Sequence, residues 1–238
     1  MKKKIGISYT ETNFQNYWNW FTPEELGDEI ELIELSFQKD NLEDFDQCDG
    51  FVLTGGIDVV PELYGGAEDY PHKPDTFLPE RDQFELQIYT YSQLQRVPVL
   101  GICRGMQYVN ILEGGKVFED NGEEVNQIHK KGAEDKVHGV KIIQNSLLSS
   151  VTGVEKGEVN SAHHQGVNPR YLGDNLMVSA YSDTSDGVIE ALEFKDKTDK
   201  AFMLGVQWHP ERMKEKESNP LSQKVKEQFI EAVKNHKR

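Results

Sequence analysis

Short apolar runs punctuate the chain, each closed by glycine, proline or acidic residues. Residues 5–9 (IGISY), 30–37 (IELIELSF), 50–56 (GFVLTGG) and 97–103 (VPVLGIC) have the length and composition of strands. The third and fourth are apolar almost throughout, the pattern of central strands covered on both faces. Between them, RDQFELQIYTYSQLQR carries Phe84, Ile88, Tyr91 and Gln95 at helical spacing, with Leu94 beside them, and predicts an amphipathic helix. Strand, helix, strand implies a parallel α/β core. The second half holds more strand-like runs, VHGVKIIQ, NLMVSAYS, VIEALEF and AFMLGVQWH, which suit hairpins or an antiparallel extension. The last twenty residues predict a helix: Asn219 can cap it, Pro220 suits its first turn, and Leu221, Val225, Phe229 and Val233 form its stripe.

Two stretches lack either period. One, 57–80, holds Pro61, Pro71, Pro74 and Pro79; the other, 113–136, is polar. Loops of this length are active-site covers or plain surface insertions. No repeat or low-complexity linker divides the chain, so it reads as one domain over 1–238. The expected fold class is α/β, three-layer, with a mostly parallel central sheet flanked by helices and an antiparallel extension in the second half.

Charge narrows the partners. Asp plus Glu number 41 against 26 Lys plus Arg, a net charge of −15 at pH 7. Such a field repels polyanions, which argues against nucleic acid and anionic membranes. No run approaches the roughly 18 apolar residues of a membrane span. The basic start MKKK passes into a strand with no signal-type apolar region behind it. Two cysteines, Cys48 and Cys103, make no disulfide framework. A soluble, cytoplasmic, reduced protein is expected, and a homodimer is left open.

The strongest chemical signal is VPVLGICRGMQYVNIL. An apolar strand runs into Gly101-Ile102-Cys103-Arg104-Gly105, and an apolar-periodic helix follows. This is the thiol counterpart of the G-x-S-x-G nucleophile elbow. A sharp strand-to-helix turn lifts the Cys103 side chain above the sheet, requires small neighbours, and sets the thiol at a helix N-terminus that favours thiolate. The competing reading is a small core residue beside a glycine turn. A thiol nucleophile needs a base, and the base an orienting partner. Of seven histidines, His209 in LGVQWHPE ends an apolar strand and so reaches the same sheet edge as Cys103. Glu211, two residues on in an extended chain, can share its face and hold its tautomer. Gly55-Gly56 ends another apolar strand, and the N–H groups of Gly56 and Arg104 could form an oxyanion hole.

Weaker constellations surround these. His163-His164-Gln165 could line a substrate site; adjacent histidines point to opposite faces, and no Cys/His/Asp spacing nearby completes a metal site. Asp82 and Glu85 read as ordinary first-turn acids, and Tyr17, Trp18 and Trp20 as core.

Together TGGIDVVPELYGG, PERDQFELQIY, GICRGMQYVNILEGG, SAHHQGV and GVQWHPE resemble the class I glutamine amidotransferase-like family, and within it the gamma-glutamyl-gamma-aminobutyrate hydrolase branch of the gamma-glutamyl hydrolases. The resemblance spans roughly residues 4–211. It implies a flavodoxin-like sandwich and a Cys-His-Glu triad matching Cys103, His209 and Glu211. It also implies a γ-glutamyl-binding role for Gln107, with Gly55 and the 161–165 segment (His163, His164, Gln165) nearby. Two positions depart from the family pattern: Glu113, where a small residue is usual, and the region 10–28. The implied activity is hydrolysis of a small-molecule γ-glutamyl amide through a thioester, with no metal or organic cofactor. A glutaminase subunit feeding a synthase, a folylpoly-γ-glutamate hydrolase, and an inactive binding protein on the same fold are the alternatives. The acidic field opposes long anionic substrates, and the helix start at Arg104 is the one sequence-visible patch to receive a substrate carboxylate.

Overall fold

The computed structural model describes residues 2–21 and 26–237. Among these, nine strands form one sheet in the order β2-β1-β3-β4-β11-β10-β9-β6-β7. The first five in that order are β2 (Ile30–Leu35), β1 (Lys3–Ser8), β3 (Gly50–Leu53), β4 (Val99–Ile102) and β11 (Met203–Val206). They pair in parallel. Beyond β11 lie β10 (Ile189–Phe194), β9 (Leu176–Ser182), β6 (Lys136–Ile142) and β7 (Lys156–Ser161), all antiparallel. A separate pair joins β5 (Val117–Phe118) to β8 (Gly166–Val167). The expected parallel core with an antiparallel extension is therefore the observed architecture.

Alternation along the central strands divides the core in two. Val52, Leu100, Ile102, Leu204 and Val206 face α1 (Phe14–Trp20) and α6 (Pro220–Asn235). Phe51, Leu53, Val99 and Met203 face α2 (Pro79–Gln95) and α3 (Arg104–Leu112). The predicted stripe of α6 is fully buried, and the Asn219 side chain accepts a hydrogen bond from the Leu221 N–H at 2.9 Å. Phe229 packs its ring 6.0 Å from Phe21 and 6.2 Å from Phe202. Truncating such a ring to alanine costs about 3–5 kcal/mol.

Four expectations change. Leu94 is 74 % exposed. The face that α2 buries instead carries Arg81, Asp82 and Glu85 beside Phe84, Ile88 and Tyr89, so its N-terminal half is a polar core element. Strand β7 lacked a sequence signal because KGEVNS holds a single large apolar residue; it is an edge strand held by its ladder to β6. The stretch 113–136 is not irregular throughout, since β5 and α4 (Glu123–His129) lie within it. Glu113 is structural: it accepts from Tyr89 Oη at 2.6 Å and from Asn175 Nδ2 at 2.7 Å.

Candidate active site

Parallel pairing sets the ends of β3, β4 and β11 at one edge, with Leu53 opposite Gly101 and Val206 opposite Ile102. Each chain then leaves that edge carrying a residue singled out from the sequence. Cys103 follows β4 with φ 52° and ψ −106°, a left-handed backbone that a non-glycine residue holds only under constraint. The constraint is visible: the Cys103 N–H donates to Val206 O at 2.7 Å, and a Cβ at Gly105 would lie 2.1 Å from Leu53 O. Helix α3 therefore packs against β3 closely enough to fix the turn, and its free N–H groups start at Cys103.

His209 lies three residues beyond β11, and its Nδ1 is 2.9 Å from Glu211 Oε1. The pairing is the expected one, but its route is not an extended chain: Pro210–Arg212 is a 3-10 turn that curls Glu211 back under the ring. The backbone is pinned by Asn160, whose Oδ1 accepts from the His209 N–H at 3.1 Å and whose Nδ2 donates to Asp135 at 3.0 Å. Burial works against charge on His209, yet the Glu211 carboxylate and the Cys103 sulfur outweigh it and push the imidazolium up to about 9.

Gly55 and Gly56 occupy the third edge position. A Cβ at Gly55 would lie 2.8 Å from His209 Cε1 and 3.5 Å from Cys103 Cβ, so this turn walls the Cys103–His209 pair. The Gly55 N–H donates to Tyr17 Oη at 3.0 Å, which commits it within the protein. Gly56 has φ 135°, and a Cβ there would lie 2.4 Å from Arg81 Nη1.

Several roles differ from expectation. Tyr17 is buried as predicted, but it is no mere filler: its hydroxyl also lies 3.3 Å from His209 Nδ1. Asp82 and Glu85 are not solvated first-turn acids. Both are buried and ion-paired with the Arg104 guanidinium, and Glu85 also accepts from Arg81 Nε at 3.0 Å. Burial would raise the Glu85 carboxyl, but Arg104 and Arg81 prevail and hold it below the usual range. Arg104 thus offers a cleft its backbone N–H and not its guanidinium. Arg81 donates to Thr54 O at 3.1 Å and Gly55 O at 2.9 Å, clamping the carbonyls of the glycine turn.

Gln107 donates to Gln165 O at 3.2 Å and to Gln207 Oε1 at 3.0 Å. Gln207 in turn aims Nε2 at Cys103 Sγ, 3.4 Å away. Its signal was its place two residues before His209, directly after the strand that leads to that histidine. The Gln165 side chain reaches Glu119 O at 3.2 Å. His163 and His164 diverge as adjacent residues should. His164 lies between Asp58 and Asp120, at 3.1 and 3.3 Å. With His72 on Asp120 at 2.9 Å and Tyr70 on Asp58 at 3.0 Å, it ties the 57–80 loop down. His163 turns inward, and burial pushes its imidazolium down to about 4. It meets His129, His138 and Glu190, residues distant in sequence, so the metal-type donor set that local spacing lacked is assembled by the fold.

Known proteins resemble this chain in sequence and fold. YvdE, a glutamine amidotransferase-like protein of Lactococcus lactis, is 34 % identical over 210 residues, covering 86 % of this chain and 81 % of its own. The gamma-glutamyl-gamma-aminobutyrate hydrolase PuuD of Escherichia coli is 32 % identical over 200 residues, covering 80 % and 74 %. The glutaminase domain of Trypanosoma brucei CTPS, solved with bound acivicin, superposes with a TM-score of 0.65 at 15 % identity over 100 % of this chain and 96 % of that one, which speaks to fold. Among the described residues no helix is long and apolar enough to cross a membrane. Residues 32–211, from the second strand to the glutamate behind His209, match Peptidase C26, and the chain belongs to that family.

Proposed function

We propose that the protein is a cysteine hydrolase of γ-glutamyl amide bonds in small metabolites of the γ-glutamyl-γ-aminobutyrate kind. The observation that carries this reading is Cys103 on a left-handed elbow beside a His209 whose imidazolium persists to about 9. The Cys103 thiolate attacks the γ-carbonyl carbon, forming a C–S bond and an oxyanion. The N–H groups of Gly56 and Arg104 receive that charge; one such donor is worth about 2.7–4 kcal/mol in the transition state. Collapse breaks the C–N bond, and the His209 imidazolium protonates the leaving amine. Neutral His209 then takes a proton from water, whose oxygen attacks the thioester. The C–S bond breaks and glutamate leaves. Gln107, Gln165 and Gln207 line the glutamyl side. These steps call on no metal or organic cofactor.

Release of glutamate from a panel of γ-glutamyl amides tests the reading. Cys103→Ala should lose turnover while keeping its thermal midpoint; hydrolysis at the wild-type rate would overturn the mechanism. The amidotransferase-like relatives favour a second reading, a glutaminase that supplies ammonia to a synthase. Hydrolysis of glutamine alone, and only with a partner present, would select it.

A further inference from the structure

Behind the 161–165 segment, His129, His138, His163 and Glu190 offer one ligand atom each, all within 4.8 Å of one another, and all four residues are buried. The three imidazoles converge on one carboxylate oxygen: Glu190 Oε1 lies 3.4 Å from His129 Nδ1, 3.4 Å from His138 Nε2 and 3.7 Å from His163 Nε2. Their other nitrogens are already fixed. His129 Nε2 is 2.9 Å from Asp186 Oδ2, His138 Nδ1 is 3.0 Å from Gly139 O, and His163 Nδ1 is 2.8 Å from Gln165 O. A nitrogen facing a carboxylate or a carbonyl at that distance carries the proton. The nitrogens turned toward Glu190 then present lone pairs to its carboxyl group, and at His129 Nδ1 the Ser161 hydroxyl also lies within 3.3 Å. Among the described residues, His138 Nε2, His163 Nε2 and both Glu190 oxygens have no hydrogen-bond partner. Such a buried, unpaired set is costly unless a positive charge lies among the four.

We propose that these residues form a closed binding site for a divalent transition-metal ion of the zinc class. A tetrahedral shell with bonds of about 2.1 Å sets its ligand atoms about 3.4 Å apart, close to the three Glu190–imidazole distances of 3.4, 3.4 and 3.7 Å. Asp186 and two backbone carbonyls holding the distal N–H groups are the outer partners that metal-bound histidines require. Soft thiolate is absent from the set and oxygen is a minority, which favours zinc over magnesium or calcium. Four protein ligands leave no open position, so the ion is structural. It would fix His163 and, through it, the Gln165 carbonyl that Gln107 engages.

The test measures metal content and spectrum apart from activity. Cys103 and His209 can also bind zinc, so the Cys103→Ser variant is the background. Dialysed against zinc and then against buffer, it should retain about one equivalent and lose thermal stability on chelation. Loaded with cobalt(II), it should show the visible bands of a tetrahedral ion. Glu190→Gln, nearly the same size, should lower zinc affinity by about 10- to 100-fold or more and abolish the bands. The proposal is overturned by less than a tenth of an equivalent in that background, by the absence of tetrahedral cobalt bands, or by bands that survive Glu190→Gln. The first two outcomes need no ligand variant to fold.

Discussion

Beneath the Gly55-Gly56 turn, two guanidinium groups and two carboxylates lie buried with nearly every polar atom paired. Beneath the 161–165 segment, three imidazoles and a carboxyl group lie as deeply buried, with His138 Nε2, His163 Nε2 and both Glu190 oxygens unpaired. The first group is balanced in charge, and its guanidinium forks match the carboxylates, so the protein alone offsets the desolvation of each ion. Ser8 Oγ donates to Glu85 at 2.7 Å, and the Val60 N–H donates to Asp82 at 3.0 Å, which fills the remaining acceptors. The second group gathers acceptor atoms without a matching cationic side chain, which is the arrangement the proposed metal ion would balance. Buried polar clusters of one fold can therefore differ in kind: one is a clamp built into the chain, the other depends on what occupies it.

The His209–Glu211 pair belongs with the clamp, because a carboxylate holds His209 as Glu85 holds Arg104. Glu211→Gln removes the charge that fixes the tautomer and stabilises the imidazolium. By comparison with other triads, it should cost about 10⁴-fold in turnover. Wild-type His209 carries its raised value of about 9, so kcat/KM should fall as pH rises through about 9, where the proton for the leaving amine is lost. Glu211→Gln should move that basic limb downward. An unmoved limb would show that Glu211 orients without stabilising charge.

Next in size is the clamp itself. Glu85→Gln leaves two guanidinium groups facing a neutral amide and should destabilise the fold by about 3–5 kcal/mol in urea melts. A loss below about 1 kcal/mol would erase the contrast between the clusters. The same exchange at Glu190 should act in the opposite direction in the presence of a chelator. An amide N–H can donate to an imidazole lone pair where a carboxylate cannot, so Glu190→Gln should gain about 1 kcal/mol with zinc removed. With zinc present it should melt below wild type. A loss in chelator comparable with that of Glu85→Gln would mean the cluster is satisfied without a cation.

Much of this was legible in the residues. The elbow around Cys103, the pairing of His209 with Glu211 and the glycine turn each carry a local signature: a strand period, a fixed offset, a doublet of glycine. Cores built from alternating strands and an amphipathic α6 were visible for the same reason. What escaped depends on contacts distant along the chain. Arg104 meets Asp82 and Glu85 across 22 and 19 positions, and no periodicity marks an acid on α2 as buried rather than solvated. Glu190 meets His129 across 61 positions, so a search for ligand spacing near His163 could not find its partners. Gln207 was hidden differently, since an amide in an apolar strand has no motif until its neighbours Gln107 and Cys103 are in place.

The smallest predicted effect compares two adjacent histidines. His163 turns inward to lone pairs and a buried carboxylate; His164 turns outward and is gripped by Asp58 and Asp120, with its ring stacked 6.4 Å from that of Tyr70. Burial lowers the basicity of His164, but hydrogen bonding and attraction from Asp58, then Asp120, more than compensate and leave its pKa raised. A histidine raised on folding adds stability that is fully present below its unfolded value of about 6.5 and lost as pH rises through the folded value. His164→Phe keeps a ring for Tyr70 and discards the charge. It should cost about 1 kcal/mol at pH 6, seen as a lower melting midpoint, and the gap to wild type should close as pH rises past the raised value. Limited proteolysis of the 57–80 loop should follow the same pH course, because Asp58 and the Asp120-bound His72 anchor that loop to the same centre. A gap that stays constant with pH would mean that His164 holds the loop by packing alone, and would leave ion pairing as a property of the buried clamp and not of the surface.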